Sequence, residues 1–183
     1  MDFRILGPFQ AVVDGRVVAL DAAKPRALLA ILLLRTGEPV SRDRLVEDLW
    51  DGRPPATAAK VLQTYVSQLR KALGNQVIVT RPAGYELVVE PDGLDLHRFE
   101  RLVTEARGND PAVAAARLRE ALALWRGPPL GEFAYEPWAQ AEIARTEVVI
   151  DHVQHHPELR PMSRFDELLE RFGTAIGALH RKG

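Results

Sequence analysis

The sequence predicts a mainly α chain with small antiparallel β-sheets, divided between residues 1–92 and residues 93–183. Three observations carry that expectation. Short β-branched bursts separated by tight-turn residues open the chain and return at 77–89. Apolar residues at three-and-four spacing fill the stretch between them. After Asp92-Gly93 the periodicity is helical alone.

The first twenty residues run FRIL, Gly7-Pro8, FQAVV, Asp14-Gly15 and RVVAL. Asp-Gly between two β-branched runs is a strong hairpin signal and predicts a small antiparallel sheet. Pro25 falls in a first helical turn, and Leu28, Leu29, Leu32 and Leu33 form the buried stripe of a helix that Gly37 ends. Ser41 is placed to cap the next helix, with Asp43 in its first turn and Leu45, Val46, Leu49 and Trp50 as its core side. Pro54-Pro55 breaks the chain, and a third helix runs from about Thr57 to Leu73, where Gly74-Asn75 stops it. VIV, the turn Arg81-Pro82-Ala83-Gly84 and YELVV then read as a second hairpin, flanking the third helix as a wing.

The second half reads as stacked helix pairs. One helix begins at Asp95 or Leu96 and passes through Phe99, Leu102, Val103 and Ala106. Asp110-Pro111 caps the next, which carries Leu118, Leu122 and Trp125 towards Gly127. GPPLGEFAYEPW is a turn-rich connector before a helix starting near Pro137. A last helix is expected from Ser163, with Phe165, Leu168, Leu169, Phe172, Ile176 and Leu179 on one face.

Composition is globular, with 46% apolar and 27% charged residues, and excludes a disordered chain. Cysteine is absent, which removes disulfides, thiol catalysis and thiolate metal sites. The start MDFRILGPFQ lacks the basic, apolar pattern of a signal peptide. The longest apolar run, ALLAILLL at 27–34, is too short for a membrane-spanning helix, which needs about 20 residues. A cytoplasmic location is expected. Neither a phosphate-binding glycine loop nor a nucleophile elbow occurs, so no enzyme and no cofactor is predicted. Asp151, His152, His155, His156 and Glu158 offer metal-ligand spacing at i and i+4, but Pro157 interrupts the geometry and no metal site is predicted.

Net charge is −1, yet local charge is uneven. From Gly52 to Tyr85 there are five basic residues, Arg53, Lys60, Arg70, Lys71 and Arg81, and no acid. The third helix carries two faces. Leu62, Val66, Leu69 and Leu73, with Tyr65, form its apolar side, and Lys60, Gln63, Thr64, Ser67, Arg70 and Lys71 form the other. A solvated face ordinarily mixes both signs, so an acid-free stretch points to an anionic partner. An α-helix fits the major groove of duplex DNA, where Arg and Lys bond guanine, Gln bonds adenine, and Ser or Thr serves base or phosphate. A carboxylate there would repel the phosphates. An ordinary solvated amphipathic helix has the same periodicity and stays open as the bland alternative.

LWDGRPPATAAKVLQTYVSQLRKALG followed by VIVTRPAGYELVV resembles the winged helix-turn-helix of the SARP family, the Streptomyces antibiotic regulatory proteins. FRILGPFQAVVDGRVVAL and KPRALLAILLLRTGEPVSRDRLVEDLW resemble that family's N-terminal sheet and first two helices, a fold similar to the OmpR-type output domain. DLHRFERLVTEAR, AAARLREALALWRGPPLGEF and EPWAQAEIARTE resemble the opening of its tetratricopeptide-like bacterial transcriptional activation domain. The resemblance implies a sequence-specific activator of antibiotic biosynthesis genes that binds direct repeats in double-stranded DNA as a head-to-tail pair. It also implies contact with RNA polymerase, including the sigma subunit. By the same resemblance Lys60, Gln63, Thr64, Ser67, Arg70 and Lys71 lie at the groove. Arg53 and Thr57 contact the backbone, and Arg81 at the wing tip enters the minor groove or binds phosphate. Trp50, Tyr65, Leu69 and Tyr85 match apolar family positions and are expected in the core. From about Val148 the chain departs from the family pattern, and the second domain is expected to be shortened. Two alternatives remain: a helical protein-interaction adaptor, and a truncated regulator that competes for DNA without activating.

Overall fold

The computed structural model describes residues 1–107 and 110–156. Strands β1 (Asp2–Arg4), β2 (Gln10–Val13) and β3 (Arg16–Val17) form an antiparallel sheet in that order. Asp14 and Gly15 both have positive φ, 49° and 76°, so the β2–β3 hairpin turns through the mirror-image geometry that matches strand twist. Helix α1 (Ala23–Leu33) follows, with Pro25 in its first turn. The expected stripe understates its burial, because every side chain from Ala27 to Leu33 is buried. Helix α1 is surrounded on several sides, packing on the two helices that follow and on the wing.

Ser41 caps α2 (Arg42–Trp50), its hydroxyl accepting from the Arg44 N–H at 3.2 Å. Helix α3 (Ala58–Leu73) starts after Thr57, which occupies the cap position without a side-chain cap bond, and ends at Gly74. The wing consists of β5 (Ile78–Thr80) and β6 (Gly84–Leu87), paired antiparallel. A further strand, β4 (Val40–Ser41), joins the other edge of β6. A side chain at Gly84 would place its Cβ 1.8 Å from the Val40 carbonyl oxygen, so this pairing requires glycine there. No sequence signal announced β4, since two residues carry no periodicity.

The second half holds α4 (Asp95–Ala106), α5 (Pro111–Ala123), a short 3₁₀ turn at Gly131–Phe133 and α6 (Pro137–Gln154). Asp110 caps α5 by accepting from the Ala112 N–H at 2.9 Å. Helix α5 stops four residues short of Gly127, because the Arg126 N–H donates to the Leu6 carbonyl instead of continuing the helix. The helix expected from Ser163 lies outside the described residues. Among the described residues, no helix is long and apolar enough to cross a membrane.

The two halves share one cluster of buried apolar side chains, from Phe3 and Leu28 through Leu69 to Phe99, Leu118 and Ile150. The N-terminal strand stitches them together. Phe3 N–H donates to the Gly93 carbonyl at 2.7 Å, and Leu130 N–H donates to that of Ile5 at 2.7 Å. Asp95, 1% exposed, accepts from the N–H groups of Ile5 at 2.8 Å and Leu6 at 3.0 Å, and its third partner is the Arg126 guanidinium at 3.3 Å. Burial pushes the Asp95 carboxyl up from its ordinary value, opposed by those N–H groups and by Arg126. At Asp2 burial also acts upward, but Arg4 and Arg98 outweigh it and hold the carboxyl below its ordinary value. A Cβ at Gly7, where φ is 141°, would come within 2.8 Å of the Arg126 Cβ, so the chain passes too closely for any side chain.

Candidate nucleic-acid interface

Helix α3 is held by its apolar side. Leu62, Val66, Leu69 and Leu73 are buried, and Tyr65 stacks on Trp50 with ring centroids 6.3 Å apart. Leu69 and Tyr85 are core residues, and Trp50 and Tyr65 are half-buried against the core. This anchoring leaves Lys60, Gln63, Thr64, Ser67 and Lys71 exposed. At spacings of three and four residues they form one continuous face. The Thr64 hydroxyl donates back to the Lys60 carbonyl at 3.1 Å, which fixes its rotamer and leaves its oxygen lone pairs outward.

Between the C-terminal half of α3 and the wing lies an open groove of about 590 Å³. Gln63, Ser67, Arg70 and Lys71 line it on the helix side, and Tyr85 lines it on the wing side. Arg53 and Thr57 are exposed on the loop before α3. Arg53, Lys60 and Lys71 have no ion-pair partner among the described residues.

Two of the sequence-derived arginines are engaged within the chain. Arg81, at the wing turn, pairs with Glu86 at 2.6 Å and is still exposed. Arg70 is only half-buried where the other eight candidates are exposed. Its Nε and one terminal nitrogen donate to the Ile78 carbonyl at 2.9 and 2.7 Å, and that nitrogen also donates to Thr80 Oγ1 at 2.8 Å.

One cation beside the wing escaped the sequence reading. The Arg42 guanidinium lies over the Tyr85 ring, 5.6 Å from its centroid, and donates to the Pro82 carbonyl at 3.4 Å. Arg42 precedes the acid-free stretch, and only the β4–β6 pairing brings it to the wing. At the other end of the chain, the His155 ring nitrogen Nδ1 lies 2.8 Å from the Asp151 carbonyl oxygen, while Glu158 lies outside the described residues.

A three-helix core with a basic, acid-free third helix and a flanking wing defines a winged helix-turn-helix transcriptional regulator of the OmpR type. Residues 15–87 match the family described as "Transcriptional regulatory protein, C terminal", and residues 94–176 match "Bacterial transcriptional activator domain". The chain is 36% identical over 162 residues to the regulatory protein DnrI of Streptomyces peucetius, covering 80% of this chain and 60% of that one. It is 37% identical over 158 residues to the transcriptional regulatory protein EmbR of Mycobacterium tuberculosis, covering 77% of this chain and 40% of the relative. AfsR of Streptomyces coelicolor is 38% identical over 148 residues, 78% of this chain and 15% of the relative. A solved structure of Mycobacterium tuberculosis EmbR in complex with a low affinity phosphopeptide superposes with a TM-score of 0.77 at 32% identity, over 83% of this chain and 43% of that one. The chain belongs to the SARP family of transcriptional regulators. It spans less than two thirds of the length of these relatives.

Proposed function

We propose that this chain binds promoter DNA sequence-specifically through α3 and the wing, and activates transcription by contacting RNA polymerase, including its sigma subunit. The observation that carries the reading is the exposed face of Lys60, Gln63, Thr64, Ser67 and Lys71, free of acids and backed by a fully apolar anchor. On this reading the face enters the major groove, where Gln63 is suited to adenine and the lysines to guanine or phosphate. Arg53 and Thr57 hold the phosphate backbone, and Arg81 leaves Glu86 for the minor groove or a phosphate. Family membership makes antibiotic biosynthesis genes the favoured targets, and a cytoplasmic location follows from that role.

Binding as a head-to-tail pair on a direct repeat belongs to the same proposal. Two copies on one face of the duplex need repeat centres about 10–10.5 base pairs apart. Selection from random duplexes should yield such a repeat, and a five-base-pair insertion should abolish cooperative binding. Titration against salt supplies the direct check. Phosphate contacts make log K fall linearly with log salt, whereas an adaptor docking apolar surface on a protein would show no duplex binding to titrate. Transcription from the selected site with purified polymerase then separates activation from occupancy alone.

A further inference from the structure

We infer that Arg70 is a positioning residue rather than a base reader: it ties the wing to the reading helix and thereby sets where Arg81 meets the DNA. This rests on the DNA-binding reading above and changes the division of labour within it.

The geometry differs from that of every other cation on α3. Lys60 and Lys71 project from the helix and are exposed, whereas Arg70 is half-buried, with its guanidinium turned towards β5. Three donor contacts, at 2.9, 2.7 and 2.8 Å, go to two acceptors, the Ile78 carbonyl and Thr80 Oγ1. Those acceptors lie at the two ends of β5, which spans Ile78–Thr80. A guanidinium is a planar fork with fixed donor directions, so binding both ends of a three-residue strand fixes the strand's orientation as well as its distance. A lysine ammonium has no such fork.

The location gives the contact its consequence. Arg81 is the residue after Thr80, so the strand that Arg70 holds carries the wing's cation at its end. Arg42, at the start of α2, also holds the wing, but at its turn: its N–H donates to the Ala83 carbonyl at 3.3 Å and its guanidinium to that of Pro82 at 3.4 Å. Strand β6 is paired on both edges, by β4 and β5, and is set in the core through Tyr85 and Leu87, while β5, set in the core by Ile78 alone, is paired on one edge. An outer strand with one paired edge is the part of a wing most easily displaced, and Arg70 braces it from α3. Using the guanidinium this way leaves fewer of its N–H groups for a base edge.

The test uses the full chain and four variants, R70A, R70K, R81A and R70A/R81A, on duplexes with single central substitutions and with A·T-rich or G·C-rich flanks. Thermal melting confirms that each is folded. R70A should weaken binding about tenfold, the scale of losing charge-assisted hydrogen bonds. It should also flatten the preference for A·T-rich flanks that Arg81 in a narrow minor groove confers, and keep the ranking of central base pairs. R70K should not restore the flank preference. The double variant should bind no more weakly than about the weaker single one, because Arg81 without its brace contributes little. If R70A does not fold, T80V removes one acceptor alone and should shift flank preference in the same direction by a smaller factor. Relaxed preference at one central base pair with flank preference intact would make Arg70 a reader and overturn the inference, as would unchanged binding by R70A or T80V. Absence of specific binding by the wild-type chain would instead overturn the DNA-binding reading itself.

Discussion

Charged side chains do opposite work in two regions of this molecule. At the seam between the first half and the helical second half they are matched. Asp95 meets Arg126, Asp2 meets Arg98 at 2.8 Å, and Arg26 meets Glu132. On α3 and the loop before it, Lys60, Lys71 and Arg53 have no ion-pair partner among the described residues. Matched charges in a partly dry seam hold the fold in one arrangement, and their loss is a stability event. Unmatched exposed cations contribute little to the fold, and their loss is a binding event. Arg70 and Arg81 fall between, exposed or half-exposed yet bonded internally, Arg70 from α3 to the wing and Arg81 within the wing.

The comparison breaks most visibly at Asp95. Asp95→Ala should cost about 3–5 kcal/mol in denaturant unfolding, because it strands the Ile5 and Leu6 N–H groups and the Arg126 charge together. DNA preference of the folded fraction should stay unchanged; a shift in base ranking would show that seam and reading face are not separable. At Gln63 the expectation reverses. Gln63→Ala should leave the melting temperature unchanged while relaxing preference at one base pair by about 1–3 kcal/mol. Equal losses on all sequences would place the reading face elsewhere on α3. Smaller still are the phosphate contacts. Lys71→Ala or Arg53→Ala should weaken every duplex alike and reduce the salt slope by about 1, and an unchanged slope would assign that residue to solvent.

The smallest effect is in pH dependence, and its sign separates the two seam carboxylates. The Asp95 carboxyl is raised, so the folded chain holds its proton more tightly than the unfolded chain does. Its stabilisation is complete below the ordinary value of 3.8 and declines as pH rises through the raised value. The stability of wild type relative to D95N should therefore fall across that window and then level off. Asp2 is lowered, so wild type relative to D2N should change the other way, losing stability as pH falls below 3.8. Parallel curves for the two variants would mean that burial does not distinguish these carboxyls.

Much of the architecture was legible before any coordinates. Asp14-Gly15 announced its hairpin because only residues that tolerate positive φ suit that turn. Ser41 and Asp110 announced helix starts because a side-chain oxygen there satisfies an otherwise unpaired N–H. The reading face was visible through an absence, the missing acids, and its members on α3 emerged exposed except Arg70. These signals are local, so residues within one helical turn or one hairpin are enough to express them.

What only the tertiary structure decided depends on partners distant in sequence. Asp95 reads as one more first-turn acid, yet its carboxylate serves Ile5 and Leu6, 90 and 89 residues away. The division at 92/93 is visible as a change of periodicity, but the continuous core and the bonds of β1 across it are not. Arg70 and Lys71 are adjacent cations on the same helix. One is tied to the wing and the other is exposed, because about 100° of helical rotation points one towards β5 and the other away from it. Periodicity specifies which side of an element is buried. Which neighbour meets the remaining side depends on how the elements pack, and that settled the placement of Arg70, Arg42 and Asp95.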